Sequence, residues 1–119
     1  MIHLVSYGHR HGPLEGVQGY ALSASEWPRP PRELRGNNGT EPLIQNWVAA
    51  SNPLIPQLLY MAVDVVALQA YFAGAAVLQV ECADGKHRSV AAVEMAGRIL
   101  RERGHEVTVS HRDLLKGAA

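Results

Sequence analysis

Val77-Leu78-Gln79-Val80-Glu81-Cys82-Ala83-Asp84-Gly85-Lys86-His87-Arg88-Ser89 is the stretch on which the fold of this chain turns. The apolar run Ala75 to Val80 reads as a strand that ends at Cys82. Gly85 marks a turn, and Lys86, His87 and Arg88 follow as a loop rich in side-chain donors. Ser89 then opens a helix-like segment, Val90 to Arg103. The first N–H groups of a helix have no intrahelical partner and carry partial positive charge. A strand, turn and helix start of this kind is therefore an anion site, most often for phosphate. Arg88 adds a fork able to grip two oxygens at once, and Lys86 adds a point charge. The same residues reproduce Cys-x5-Arg-Ser, the spacing of cysteine-dependent phosphatases. Cys82 then has two readings, an attacking thiolate or a buried strand-end thiol.

Upstream of that stretch, Ile2 to Ser6 is a short strand with apolar residues on both faces, ending at Tyr7-Gly8. Burial on both faces suits a parallel or mixed sheet. The basic loop His9-Arg10-His11-Gly12-Pro13 follows at the carboxyl end, where open α/β sheets bind ligands. His9 and His11 lack an acidic or Cys neighbour and read as solvated loop residues, so no metal is expected. Gly19 to Ser23 reads as a second strand. Trp27-Pro28-Arg29-Pro30-Pro31-Arg32 is irregular, because proline removes donors and fixes φ. With Arg35, it is either a ligand-closing or partner-contact loop, or a connector pinned by Trp27. Thr40 is expected to cap a helix over Leu43 to Ala50, with Pro42 in its first turn.

Asn52 caps the next helix, with Pro53 at its start. Leu54/Ile55, Leu58/Leu59, Ala62, Val65/Val66 and Phe72 repeat at helical spacing and are expected in the core. Pro56, Gln57, Asp64, Gln69 and Gly74 interrupt this apolar region, which argues for a buried helix rather than a membrane span. Downstream, Val90, Val93, Ala96/Gly97 and Leu100 line one face of a helix that Gly104 closes. Glu106 to Ser110 alternates as the last strand. The unit Ala75 to Ser110 has the length of a βαβ crossover, so its two strands are expected to be parallel.

The chain has 119 residues, enough for one domain over 1–119 with a single core. The expected architecture is α/β, a mostly parallel or mixed sheet of about four strands with helices packed on it. Lys plus Arg and Asp plus Glu are 11 each, which argues against a broadly nucleic-acid-coating or membrane-coating protein but allows a local basic patch. The single cysteine excludes an internal disulfide and suits a reducing compartment. Met1 leads straight into Ile2-His3-Leu4-Val5 without a signal-peptide layout, so a cytoplasmic location is expected.

Gly85-Lys86-His87-Arg88-Ser89, a helix closed by glycine, and Val107-Thr108-Val109-Ser110-His111-Arg112-Asp113 together resemble the C-terminal domain of the RapZ family. Ser6-Tyr7-Gly8 leading to His11-Gly12 resembles that domain's opening strand and loop. Family members carry an N-terminal ATP-binding domain with a Walker A loop. No GxxxxGK[ST] stretch occurs here, so the chain resembles the second domain standing alone and nucleotide hydrolysis is not implied. The resemblance implies a sensor of an amino-sugar phosphate, glucosamine-6-phosphate in RapZ itself, linked to delivery of a regulatory RNA. It implies that Gly85, His87 and Arg88 hold the phosphate with Lys86 and Ser89 in support, and that Ser6, His111 and Arg112 belong to the ligand site. Oligomers are also implied, with Trp27, Leu34 and Trp47 as interface candidates. Where the family loop reads Cys-Thr-Gly-Gly, this chain has Ala83 and Asp84 in the middle. Asp84 sets a carboxylate beside the proposed phosphate, a repulsion that a nearby Arg or Lys must offset. The family's Asp-Val-Arg-Phe-Leu-Pro-Asn-Pro segment is represented only by Leu22 to Pro30. The end, Lys116-Gly117-Ala118-Ala119, has no basic tail.

Three readings follow. In the first, the chain is a non-catalytic domain that binds a phosphorylated small molecule, phosphate or sulfate, without a cofactor. In the second, it is an RNA- or protein-interaction adapter using Arg10, Arg29, Arg32, Arg35 and Arg112. In the third, it is a phosphatase-like enzyme using Cys82 and Arg88.

Overall fold

In the computed structural model, which describes residues 1–117, the apolar runs become four strands and the helical repeats three helices. The order is β1 (Ile2–Gly8), β2 (Tyr20–Ser23), α1 (Pro42–Ser51), α2 (Leu54–Ala73), β3 (Ala76–Cys82), α3 (Arg88–Glu102) and β4 (Val107–His111). The reading of 116–119 as lacking a basic tail falls partly on residues 118 and 119, outside those described. All strand pairs are parallel, in the spatial order β2-β3-β1-β4. β3 and β4 are thus parallel as expected, with β1 inserted between them. Every carboxyl end consequently lies on one side, and β1 and β3 stand at the centre. That is the geometry that gathers loops into a ligand site in open α/β sheets.

One sheet face is dry. Ile2 and Leu4 of β1 and Leu78, Val80 and Cys82 of β3 are buried there, with Val107 and Val109 of β4 packed against the cluster. α2 and α3 lie on this face, and α1 packs against both, contributing Ile44 and Val48 to the core. α3 sits close because Ala92, Ala96 and Gly97 are small. A Cβ on Gly97 would stand only 3.4 Å from Leu4 Cδ1 and from Val109 Cγ2. Gly104, at φ +89°, reverses the chain after α3, as its position in the sequence implies.

The opposite face corrects the reading of β1 as buried on both sides. His3, Val5 and Tyr7 alternate outward, beside Gln79 and Glu81 of β3 and Thr108 and Ser110 of β4. Of these only Val5, at the centre, is buried. Polar pairs dress the rest, including His3 Nδ1 with Thr108 Oγ1 at 2.5 Å and Ser23 Oγ donating to Glu81 Oε1 at 2.8 Å.

Two helix starts are informative. Thr40 does not cap α1. Its N–H and hydroxyl both bond Asn38 Oδ1, at 2.9 and 2.6 Å, so Asn38 captures it in a turn and Glu41 becomes the last non-helical residue. Asn52 does cap the next helix, its Oδ1 accepting from Leu54 N at 2.9 Å with Pro53 between. The apolar stripe of α2 needs a second correction. Ile55, Leu59, Ala62, Val63 and Val66 enter the core, whereas Leu54 is 58% and Phe72 78% exposed. Two apolar stripes run along α2, and the sheet covers only one.

Candidate functional site

The site begins where β1 and β3 end. Gly8 lies against the backbone of Asp84 and Gly85, and Gly85 adopts φ +76°, a conformation that glycine reaches without penalty. Arg10 N donates to Ala83 O at 3.1 Å, tying the two loops together. Past Gly85 the chain turns into α3. Among the described residues, the N–H groups of Gly85, Lys86, His87, Arg88 and Ser89 donate to no protein acceptor. This is a row of free donors at the positive end of a helix.

A narrow cleft of about 10 Å³ opens beside this loop. From β3 and the loop come Cys82, Asp84, Lys86, His87 and Arg88; from the Pro-rich segment come Arg29, Pro30 and Arg35. That segment is held down by the loop itself. Arg88 Nη1 donates to Ser25 O at 2.7 Å and to Trp27 O at 3.0 Å, and His87 Nε2 lies 3.1 Å from Arg35 O. Gly39 N donates to Lys86 O at 2.8 Å. Trp27 is buried and anchors the other end of the segment. The two readings of this stretch, connector and cover, are therefore one arrangement: a pinned connector that lies over the start of α3.

The charge balance is cationic. Burial pulls the Arg88 guanidinium below its usual value; Arg29 and Arg10 push the same way, while Cys82 and Asp84 oppose them. Asp84, the carboxylate that would repel an anion, is paired with Arg10 at 3.2 Å. Cys82 is only 2% exposed, and its Sγ lies 3.1 Å from Ser89 Oγ. A thiol so placed lines the floor of the cleft.

Ser6, His111 and Arg112 are not brought to this cleft. Ser6 is fully buried, and its Oγ lies 2.6 Å from His111 Nδ1, while His111 Nε2 lies 3.1 Å from Glu94 Oε1. An imidazole that donates from Nε2 to Glu94 accepts the Ser6 hydroxyl at Nδ1. The chain of bonds ties β1, β4 and α3 together. Arg112 donates to the carbonyls of Pro13 at 2.6 Å and Gly12 at 2.8 Å, and to Asp113 Oδ2 at 2.8 Å, fastening the loop after β1. Its guanidinium also lies over the Tyr7 ring, 5.3 Å from the centroid.

Asp113 is fully buried and receives Gly8 N at 2.7 Å, Arg112, and Lys116 at 2.7 Å. Burial alone would raise its pKa, but the bonds from Arg112, Lys116 and Gly8 N overcome that and hold it well below the usual carboxylate range. A carboxyl depressed on folding stabilises the protein above its unfolded value, near 3.8, and that contribution disappears as the pH falls further. Asp113→Asn is expected to cost about 2–3 kcal/mol at neutral pH. It should also flatten the loss of stability between about pH 4 and pH 2, as read by urea unfolding at each pH. An acid limb identical to that of the unmodified protein would refute this assignment.

The sequence shows Asp113 only as the end of the His-Arg-Asp stretch, because the Gly8 amide it receives lies 105 residues away, and it gives Glu94 no role, because its partner His111 lies on another element. Arg29 and Arg35 were visible as the most basic stretch, although nothing local showed what they face.

The family model for the RapZ C-terminal domain matches residues 1–115. A nucleotide-binding protein of Geobacter metallireducens is 34% identical over 98% of this chain and 42% of its own length. One of Fervidobacterium nodosum is 26% identical over 98% of this chain and 43% of its own. One of Desulfitobacterium hafniense is 35% identical over 68% of this chain and 29% of its own. The chain therefore spans about two-fifths of the first of these relatives. With the helix-start loop, its glycine turn and the parallel sheet in place, the chain belongs to the RapZ C-terminal domain family.

Proposed function

We propose that this chain is a non-catalytic binding domain that senses a phosphorylated small molecule of the amino-sugar phosphate class. The observation that carries this reading is the row of unpartnered amides from Gly85 to Ser89 beside Lys86, His87 and Arg88. Oriented amides and charged donors together match the oxygens of a phosphoryl group. The cleft as it stands holds about one water's volume, so a phosphoester enters only as Arg29, Pro30 and Arg35 swing outward. The cover over the site is then also its sensor element, since its position depends on occupancy. The relatives' name, nucleotide-binding protein, makes nucleotides the natural competitors in any ligand panel. The burial of Cys82 and its contact with Ser89 favour binding over thiolate attack.

The test is thermal unfolding with phosphate, sulfate, glucosamine-6-phosphate, other sugar phosphates and nucleotides. A ligand at a hundred times its Kd adds about 2.7 kcal/mol, roughly a 10 °C rise for a domain of this size. Lys86→Ala, which removes a side chain with no protein partner among the described residues, should leave the ligand-free midpoint unchanged and remove most of the rise. No rise with any anion sinks the reading. Binding to RNA that weakens steeply with salt would then favour an adapter using the exposed Arg29, Arg32 and Arg35. Turnover of phosphoesters that Cys82→Ser abolishes would favour the enzyme.

A further inference from the structure

A second cavity lies among the three helices and shares no lining residue with the cleft beside Gly85–Ser89. It is an open groove of about 290 Å³. That is near the lower end of the range for ligand pockets, so it suits a small molecule. α1 supplies Ala49, α2 supplies Leu59 and Tyr60, and α3 supplies Met95 and Ile99, so the wall is mainly apolar. Leu59 belongs to the core, and Met95 and Ile99 pack against it. Two charged side chains of α3, Arg98 and Glu102, complete the lining. We propose that this groove binds a free apolar α-amino acid, with its carboxylate on Arg98, its ammonium on Glu102 and its side chain against Leu59, Met95 and Ile99.

The charges select this occupant. Arg98 and Glu102 are one turn apart, the spacing at which opposite charges on a helix ordinarily pair. They do not pair here. Arg98 Nη2 donates instead to Gln45 Oε1 of α1 at 2.6 Å. Gln45 is 3% exposed, and its Nε2 donates to Gly39 O at 3.0 Å. A buried amide with both ends engaged thus holds the guanidinium to α1. Among the described residues, Nε and Nη1 of Arg98 and the carboxylate of Glu102 have no side-chain or carbonyl partner. A cation and an anion left apart beside an apolar wall match a molecule that carries both charges on one carbon and an apolar chain on the same carbon. A fatty acid leaves Glu102 unmatched, and an alkyl amine leaves Arg98 unmatched. A longer peptide separates its two termini and cannot present both within one helical turn. A phosphorylated ligand meets the like charge of Glu102.

The decisive experiment is calorimetric titration of the full chain with L-leucine, L-methionine and L-phenylalanine. 4-Methylpentanoate, which is leucine without its ammonium, and leucinamide, which lacks the carboxylate, are titrated alongside. At least one amino acid should bind with a Kd on the order of 0.1 mM, and both truncated analogues should bind about 10-fold or more weakly. Glu102→Gln should weaken the amino acid about 10-fold and abolish its advantage over 4-methylpentanoate. Ala49→Phe, checked for folding by circular dichroism, should fill the groove and prevent binding. Glu15→Gln makes the same charge change at an exposed residue that lines neither cavity, and should bind as the unmodified chain does. Lys86→Ala should also bind the amino acid normally, so this result stands or falls apart from the phosphate reading. Absence of binding by all three amino acids overturns the proposal. So does 4-methylpentanoate binding as tightly as leucine, or a Glu102→Gln protein that binds leucine undiminished.

Discussion

Gly8→Ala should lower the stability of this domain by about 3–5 kcal/mol, among the largest effects available to a single methyl group. The dihedral of Gly8 is ordinary for any residue, so the objection is space alone. A Cβ there would overlap the carbonyl carbon of Asp84 and stand 2.6 Å from Gly85 N. Both neighbours are backbone, and no side-chain rotation relieves the overlap. Gly85 cannot yield, because its own φ of +76° and its closeness to Gly8 N hold it in place. The loops must separate, and with them go the Gly8 N bond to Asp113 and the Arg10 N bond to Ala83. Roughly 12–20 °C of the thermal midpoint should be lost. Gly36→Ala is the control, since its Cβ would meet nothing within 4 Å, and its midpoint should hold. A Gly8→Ala protein that melts with the unmodified one would show that the crossing of the two loops is not tight.

Arg88→Ala should fail in two ways at once. Arg88 is 6% exposed and is the side chain that reaches from the start of α3 to the carbonyls of Ser25 and Trp27. Removing it leaves both acceptors without their charged donor, at a cost of about 2–3 kcal/mol. It also deletes the fork from the cleft proposed to bind phosphate, and phosphate affinity should fall about 100-fold. Arg88→Lys separates the two roles. A lysine keeps the charge but cannot hold two carbonyls in the plane of a guanidinium, so binding should recover more than stability does. Calorimetric titration of phosphate, alongside urea unfolding of the same variants, reads both. Undiminished phosphate binding in Arg88→Ala would overturn the proposed site, whereas undiminished stability would overturn only the account of the cover.

What local chemistry dictates was legible from residues alone. The alternation in β3, the turn at Gly85 and the donors of Lys86 to Arg88 place a strand, a tight reversal and a helix start in that order. A helix start leaves its first amides without intrahelical partners, and at α3 no side chain caps them. Gly104 and Asn52 end and begin helices through bonds made within a few residues of themselves. Three prolines between Trp27 and Arg32 exclude regular structure whatever the rest of the chain does. The parallel sense of β3 and β4 came from the length of the crossover.

Long-range packing decided the remainder. That β1 enters between β3 and β4, and that all helices gather on one side, depends on contacts between residues far apart in sequence. His3 and Gln79 consequently look outward from strands that read as buried. The stripe of α2 reads in sequence as one broad core face, because periodicity reports which residues align and not what covers them. The sheet is wide enough to cover Ile55, Leu59 and Val66, and Leu54, Met61 and Phe72 are left outside. Arg112 and His111 resemble ligand groups in sequence but are drawn into bonds with Gly12, Pro13, Asp113, Ser6 and Glu94. The sequence by itself determined the Gly85–Ser89 turn and its helix start, because their geometry is set by neighbours along the chain. Only the tertiary structure decided which charges remain free to meet a ligand, because a side chain's partners are chosen by proximity in space.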